Sequence, residues 1–136
     1  MKLFKFGLIS CVALTGQSAV AAANSYQCVI AEQQMLEASG MLKRPPEPYL
    51  IGKRFAIDRD SGRLVGPEQS LWQLEDHKVT VMARGNKDNS FVVFSVGPAA
   101  GVGVHATMLR VEEFVEGKSK PFVVLSGSQV TSGVCE

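Results

Sequence analysis

The chain has 136 residues, and its 14 Lys and Arg nearly balance its 13 Asp and Glu. A length of this order builds one domain around one core, which excludes a large two-lobed enzyme with a cleft between its halves. A charge this close to zero selects neither nucleic acid nor a strongly acidic or basic partner.

Residues 1–23 read as a secretory signal. Lys2 and Lys5 precede a largely apolar stretch over residues 6–20, and Ala19, Ala21, Ala22 and Ala23 supply the small residues of a cleavage site. The apolar stretch is about 15 residues long and is diluted by Thr15, Gln17 and Ser18, whereas a membrane-spanning helix needs roughly 20, so no transmembrane anchor is expected. Leu8-Ile9-Ser10-Cys11 has the form of a lipoprotein processing box, but it leaves only residues 6–10 as its apolar stretch. The expectation is a cleaved leader and a mature chain of residues 24–136, periplasmic or secreted, in which 12 cations face 13 anions once Lys2 and Lys5 are gone.

Cys28 and Cys135 are then the remaining cysteines, near opposite ends of the mature chain. An oxidising compartment predicts one disulfide between them. It closes a loop of about 106 residues, for which chain entropy gives roughly 4 to 5 kcal/mol as an upper figure. No CxxC and no neighbouring His favours a metal or redox role, so no metal and no cofactor is expected.

In chain order, residues 26–31 alternate as a strand, with Tyr26, Cys28 and Ile30 on one face. Residues 32–43 fit either a helix, from their Glu, Gln, Met, Leu and Ala content, or a continued strand that bends at Ser39-Gly40. Pro45, Pro46 and Pro48 make the following segment a loop. Residues 53–58 and 63–65 flank a turn at Arg59-Asp60-Ser61-Gly62, a hairpin. Residues 67–76 suit a short helix or an irregular lid, with Trp72 buried. Residues 78–84 alternate as a strand with one wet face, and residues 91–96 form an apolar run expected to be covered on both faces. Strands over residues 104–114, 121–125 and 129–135 complete the chain. About seven strands, mainly antiparallel, with at most one or two short helices predict an all-β fold: a single small sandwich or barrel with its termini stapled by the disulfide.

The motifs carry little chemistry. Asp58-Arg59-Asp60-Ser61-Gly62 lacks the glycine and glutamate positions of a calcium loop. His77, in the polar run Glu75-Asp76-His77-Lys78, reads as a solvated surface residue. His105 shares an alternate face with Thr107, Leu109 and Val111 and reads as half-buried. No serine stands in a G-x-S-x-G elbow. The glycine-rich segment 97–103 runs from strand to strand, the wrong context for a nucleotide phosphate, and is either a hairpin tip or a loop that meets a partner or a membrane surface. The cations at Lys43, Arg44, Lys53, Arg54, Arg59 and Arg63 are interleaved with acids and lack stacking aromatics, so nucleic acid is not an expected ligand.

A cysteine in the first strand bridged to one at the C-terminus of a β domain of this size resembles, in architecture, the exported bacterial lysozyme inhibitors. The Ser-Gly-x-x-Tyr loop of one such group has no counterpart, because none of Ser39-Gly40, Ser61-Gly62, Ser126-Gly127 and Ser132-Gly133 leads to a Tyr at that spacing. The resemblance therefore implies no functional residue.

The expected function is that of a non-enzymatic exported binding or accessory module whose partner is a protein or envelope component. A small-molecule or lipid carrier with a hollow barrel is the alternative, and a hydrolase using His77 or His105 is a third. The Pro-rich loop, with Lys43, Arg44 and Tyr49, is the favoured partner-binding element, because its prolines lower the entropy lost on binding. The apolar loop carrying Val102 is the second.

Overall fold

A computed structural model describes residues 24–66, 72–99 and 103–136. The expected leader, Val102 and the greater part of the segment between Val65 and Trp72 lie outside the described residues.

The chain forms one antiparallel all-β sheet of nine strands, two of them only two residues long, curled into a half-barrel. The strands are β1 (Ser25–Leu36), β2 (Leu42–Lys43), β3 (Arg54–Asp58), β4 (Leu64–Val65), β5 (Lys78–Asn86), β6 (Asn89–Pro98), β7 (Val104–Val111), β8 (Lys120–Ser126) and β9 (Gln129–Cys135). Their order is β4-β3-β1-β9-β8-β7-β6-β5, with β2 on the end of β1. The strand alternative for residues 32–43 is the one adopted: β1 runs to Leu36, turns through Gly40 at φ 81° and returns as β2. Strands β5 to β9 form a meander of neighbouring hairpins. β1 reaches β9 only at the end of the chain, and there Cys28 and Cys135 are direct partners, disulfide-bonded with Cα atoms 3.9 Å apart.

Paired residues of an antiparallel ladder share a face, so the registers stack the interior in rungs. One rung is Phe91, Val111, Phe122, Gly133 and Ile30, and the next is Val93, Leu109, Val124, Thr131 and Gln33. Gly133 carries no side chain because a Cβ there would lie 2.0 Å from the Val29 carbonyl oxygen and 2.8 Å from the Phe122 ring. Phe55 packs edge-on to both Trp72 and Phe122, at centroid distances of 5.0 and 5.3 Å. These rings fill the middle of the bore, and Trp72 is buried as expected.

No backbone ladder joins β4 to β5, so that seam is crossed by side chains. The buried Gln73 donates to the Gly62 carbonyl at 3.0 Å and accepts from the Leu64 N–H at 2.9 Å. Arg63 donates to the His77 carbonyl at 3.1 Å. The expected hairpin turn is present, with Gly62 at φ 72° and the Asp58 carboxylate accepting from the Ser61 N–H and hydroxyl at 2.7 Å, bonds that hold Asp58 below the usual carboxylate range. One expectation fails: β6 is not covered on both faces, since Phe94 is 40% exposed on its outer side. An apolar run marks a strand interior to the sheet but does not report a second layer, and among the described residues none covers Phe94.

The end of the barrel opposite the β8–β9 turn is closed by Tyr26, which tilts against Phe91 at 5.3 Å and donates to Glu113 at 2.6 Å while the Arg59 guanidinium lies 4.7 Å over its ring. Burial, and then the hydrogen bond to Glu113, raise the Tyr26 pKa far above the ordinary tyrosine value. A phenol raised in the folded state contributes stability that is present below its unfolded pKa of about 10 and is lost as pH rises above it. Denaturant unfolding should therefore show stability falling above about pH 10, and Tyr26→Phe should flatten that fall. Cys28→Ser and Cys135→Ser should lower the unfolding free energy alike, by up to about 4 kcal/mol, and mass analysis of the native protein should show no free thiol at either position.

Candidate functional site

The next rung toward the β8–β9 turn changes character. Ser95, Thr107, Ser126 and Gln129 pair in register across β6, β7, β8 and β9, so polar residues on all four strands follow a rung in which only Thr131 and Gln33 were polar. Beyond them Gly97 pairs with His105, and the His77 ring lies over Gly97. Each strand thus ends its inward set in polar groups at the same end of the barrel, the mouth.

His77 is 2% exposed, which corrects its reading as a surface residue. Its polar neighbours in sequence misled that reading; the signal that could have found it is Gly97, twenty residues on. A Cβ at Gly97 would lie 2.3 Å from His77 Cδ2, so the glycine is what lets the imidazole enter. The ring spans Ser95 Oγ at Nδ1 and the Pro98 carbonyl at Nε2, both at 3.3 Å. A carbonyl only accepts, so Nε2 carries the proton and Nδ1 accepts from Ser95. The His105 ring lies 5.4 Å away at a 33° tilt, half-buried as its alternation predicts. His105 Nε2 is 3.0 Å from Ser126 Oγ, to which Thr107 also donates at 3.1 Å. Ser126 and His105 stand at the distance of a nucleophile and its base, but among the described residues His105 Nδ1 has no partner to orient the ring. Among the described residues no three of His, Cys, Asp and Glu converge as a metal-ligand set.

On the outer face of the same end lies an open groove of about 350 Å³, lined chiefly by Leu36, Leu42, Leu125 and Val130. Leu125 and Val130 are a cross-strand pair, and Leu36 pairs with Leu42. Leu42 is 45% exposed and the adjoining Met41 61%, an apolar rim open to solvent.

The sequence-selected Lys43, on β2 beside Leu42, and Arg44, just after the strand, do not line this groove, and their charges are engaged. Lys43 pairs with Glu37 at 2.9 Å, and Arg44 grips Glu32 through two nitrogens, one of them at 2.9 Å. That bond holds the Glu32 carboxyl below the usual range. Tyr49 is exposed, and the next residue, Leu50, is buried with its N–H held by Gln33 Oε1 at 3.1 Å. Val102, on the other selected loop, lies outside the described residues. Lys43 and Arg44 thus follow the groove residue Leu42 in the chain without lining the groove themselves, while Cys28 and Cys135 lie in the interior of the sheet away from the mouth.

No protein-family model, curated protein or solved structure matches this chain.

If His77 occupies the space that Gly97 leaves, Gly97→Ala should lower the melting temperature sharply in the native background and far less in His77→Ala. A thermal double-mutant cycle reads the coupling, and additive effects would contradict the close approach.

Proposed function

We propose that this is an exported, non-enzymatic binding protein that engages a polypeptide partner at the apolar groove formed by Leu36, Leu42, Leu125 and Val130. The observation that carries the reading is a solvent-facing apolar groove on a rigid, disulfide-bonded sheet. Exposed apolar surface of this kind marks an interaction site. The leader-like residues 1–23 and the disulfide support export.

Three features favour a polypeptide over the alternatives. The groove is open, so it cannot by itself enclose the 70 to 90% of a small ligand's surface that such sites bury, and a partner must supply the other wall. Its lining residues carry no charge, and the cations that follow Leu42 in the chain are already paired with Glu37 and Glu32, leaving an apolar surface without a charge preference. The bore is filled by Phe55, Phe91, Phe122 and Trp72, which argues against a hollow carrier. The His105 ring, whose Nδ1 has no orienting partner among the described residues, likewise favours binding over hydrolysis.

A photoreactive residue placed at Leu42 should crosslink to a discrete envelope polypeptide, and one placed at the exposed Met82 on β5 should not. Leu42→Asp together with Leu125→Asp should weaken capture of that polypeptide at least about tenfold, whereas Lys43→Ala with Arg44→Ala should change it little. The reverse ranking would move the site to the Pro-rich loop.

A further inference from the structure

The outer face of the sheet carries a second recess, at the opposite end of β1 from the apolar groove. It is a cleft of about 240 Å³ over β3, β1 and β9, lined by Gln27, Val29, Arg54, Val134 and Glu136 around Cys28. The registers bring these residues together. Val29 pairs with Arg54 on one side and with Val134 on the other, and Gln27 exchanges two backbone bonds with Glu136, at 2.7 and 2.8 Å. Their neighbours Cys28, Phe55 and Cys135 are buried, so alternation turns the lining residues outward. The disulfide joins the two strands that carry Val29 and Val134 and holds the floor of the cleft.

Two opposite charges share this cleft without neutralising each other. Arg54 has no hydrogen-bond or ion-pair partner among the described residues, whereas every other arginine has one: Arg44 with Glu32, Arg59 with Glu113, Arg63 with the His77 carbonyl, Arg84 with Asp60 and Arg110 with Glu112. Glu136, just beyond β9, has one carboxylate oxygen 3.2 Å from Ser119 Oγ, and no cation among the described residues pairs with it. β1 runs between the two, so their backbones stand two strand spacings apart, about 9.6 Å. Gln27 lies on β1, and its Nε2 donates to Ser25 Oγ at 3.2 Å, which leaves Oε1 as an acceptor.

The lining therefore sets a requirement. An anion alone meets Arg54 but is opposed by Glu136, and a cation alone meets the reverse; a ligand carrying both charges satisfies both walls. A guanidinium takes a carboxylate through two parallel N–H bonds, and a carboxylate with an amide oxygen takes an ammonium. Val29 and Val134 offer an apolar floor to the atoms between. The volume falls below the roughly 300 Å³ at which sites for drug-sized ligands begin, which restricts the ligand to a small one. We infer that this cleft binds a small zwitterion, an amino acid or a dipeptide, with its carboxylate on Arg54 and its ammonium on Glu136 and Gln27 Oε1. The site does not rest on the polypeptide partner proposed for the apolar groove.

The probes are L-alanine and L-alanyl-L-alanine, titrated separately into the isotope-labelled, disulfide-bonded protein with the Gln27 side-chain amide and the Arg54 Nε–H observed by NMR. Saturable shifts of both signals are expected, and the tighter probe tells a free amino acid from a peptide. Acetate and methylammonium, each with one of the two charges, should bind at least about tenfold more weakly. Arg54→Gln and Glu136→Gln, both at exposed positions, should each weaken the zwitterion by at least that factor, while Arg84→Gln and Leu42→Asp should leave it unchanged. Either single-charge probe binding as tightly as the zwitterion, or undiminished binding in Arg54→Gln or Glu136→Gln, would overturn the inference. No saturable shift with either zwitterion would mean that the cleft holds only solvent, and the inference fails.

Discussion

Everything in this fold depends on the pairing of the first long strand with the last. Strands β5 to β9 assemble by successive hairpins, and β2, β3 and β4 assemble on β1, but only the β1–β9 ladder makes these two pieces one sheet. Its formation closes residues 28–135 as a loop, the most entropically costly contact in the sheet. Two features secure it. Cys28 and Cys135 are direct partners in that ladder, so the disulfide constrains the unfolded chain toward this junction. Gly133 removes the one side chain whose Cβ would strike the Val29 carbonyl from across the pair.

Once the junction forms, the two-residue period of the strands assigns every residue a side. The interior passes from aromatic and aliphatic rungs to one of Ser95, Thr107, Ser126 and Gln129 without any change in backbone geometry. Hydroxyls are tolerated there because they bond to one another and to the imidazoles, as the Thr107–Ser126–His105 chain does. At the other end Tyr26, Glu113 and Arg59 satisfy one another and close the bore. The half-barrel is therefore asymmetric along its length, with self-satisfied charge at one end and hydroxyls and imidazoles at the other.

Much of this was legible in the sequence. Alternation placed β1 and β5, composition placed β7, the turn residues placed the β3–β4 hairpin, and the two cysteines announced their bond. The two-residue β2 was harder to see because a pair that short carries no period, and the helix-or-strand ambiguity of residues 32–43 reflects helix-forming residues of which 32–35 are held extended by β9. The mouth was not read. Its signal was present in the inward sets, where Phe91-Val93-Ser95, Val111-Leu109-Thr107 and Phe122-Val124-Ser126 each end in a hydroxyl, but only the register reveals that those ends coincide. His77 was hidden for a related reason: its environment is set by Gly97 across the ladder rather than by the polar residues beside it in the chain.

The same alternation explains why the two candidate surfaces share one end of the molecule. On the β8–β9 hairpin, Leu125 and Val130 line the outer groove, which Gln129 also touches, while Ser126 faces the bore and bonds Thr107 and His105. A slip of one residue in that pairing would turn the leucine inward against Thr107 and expose the serine, exchanging the two surfaces. The tight turn at Gly127, with φ 58°, sets the hairpin register, and the Leu36 N–H to Ser128 carbonyl bond at 2.8 Å ties its tip to β1. That pair of constraints keeps the apolar groove outside and the polar mouth inside.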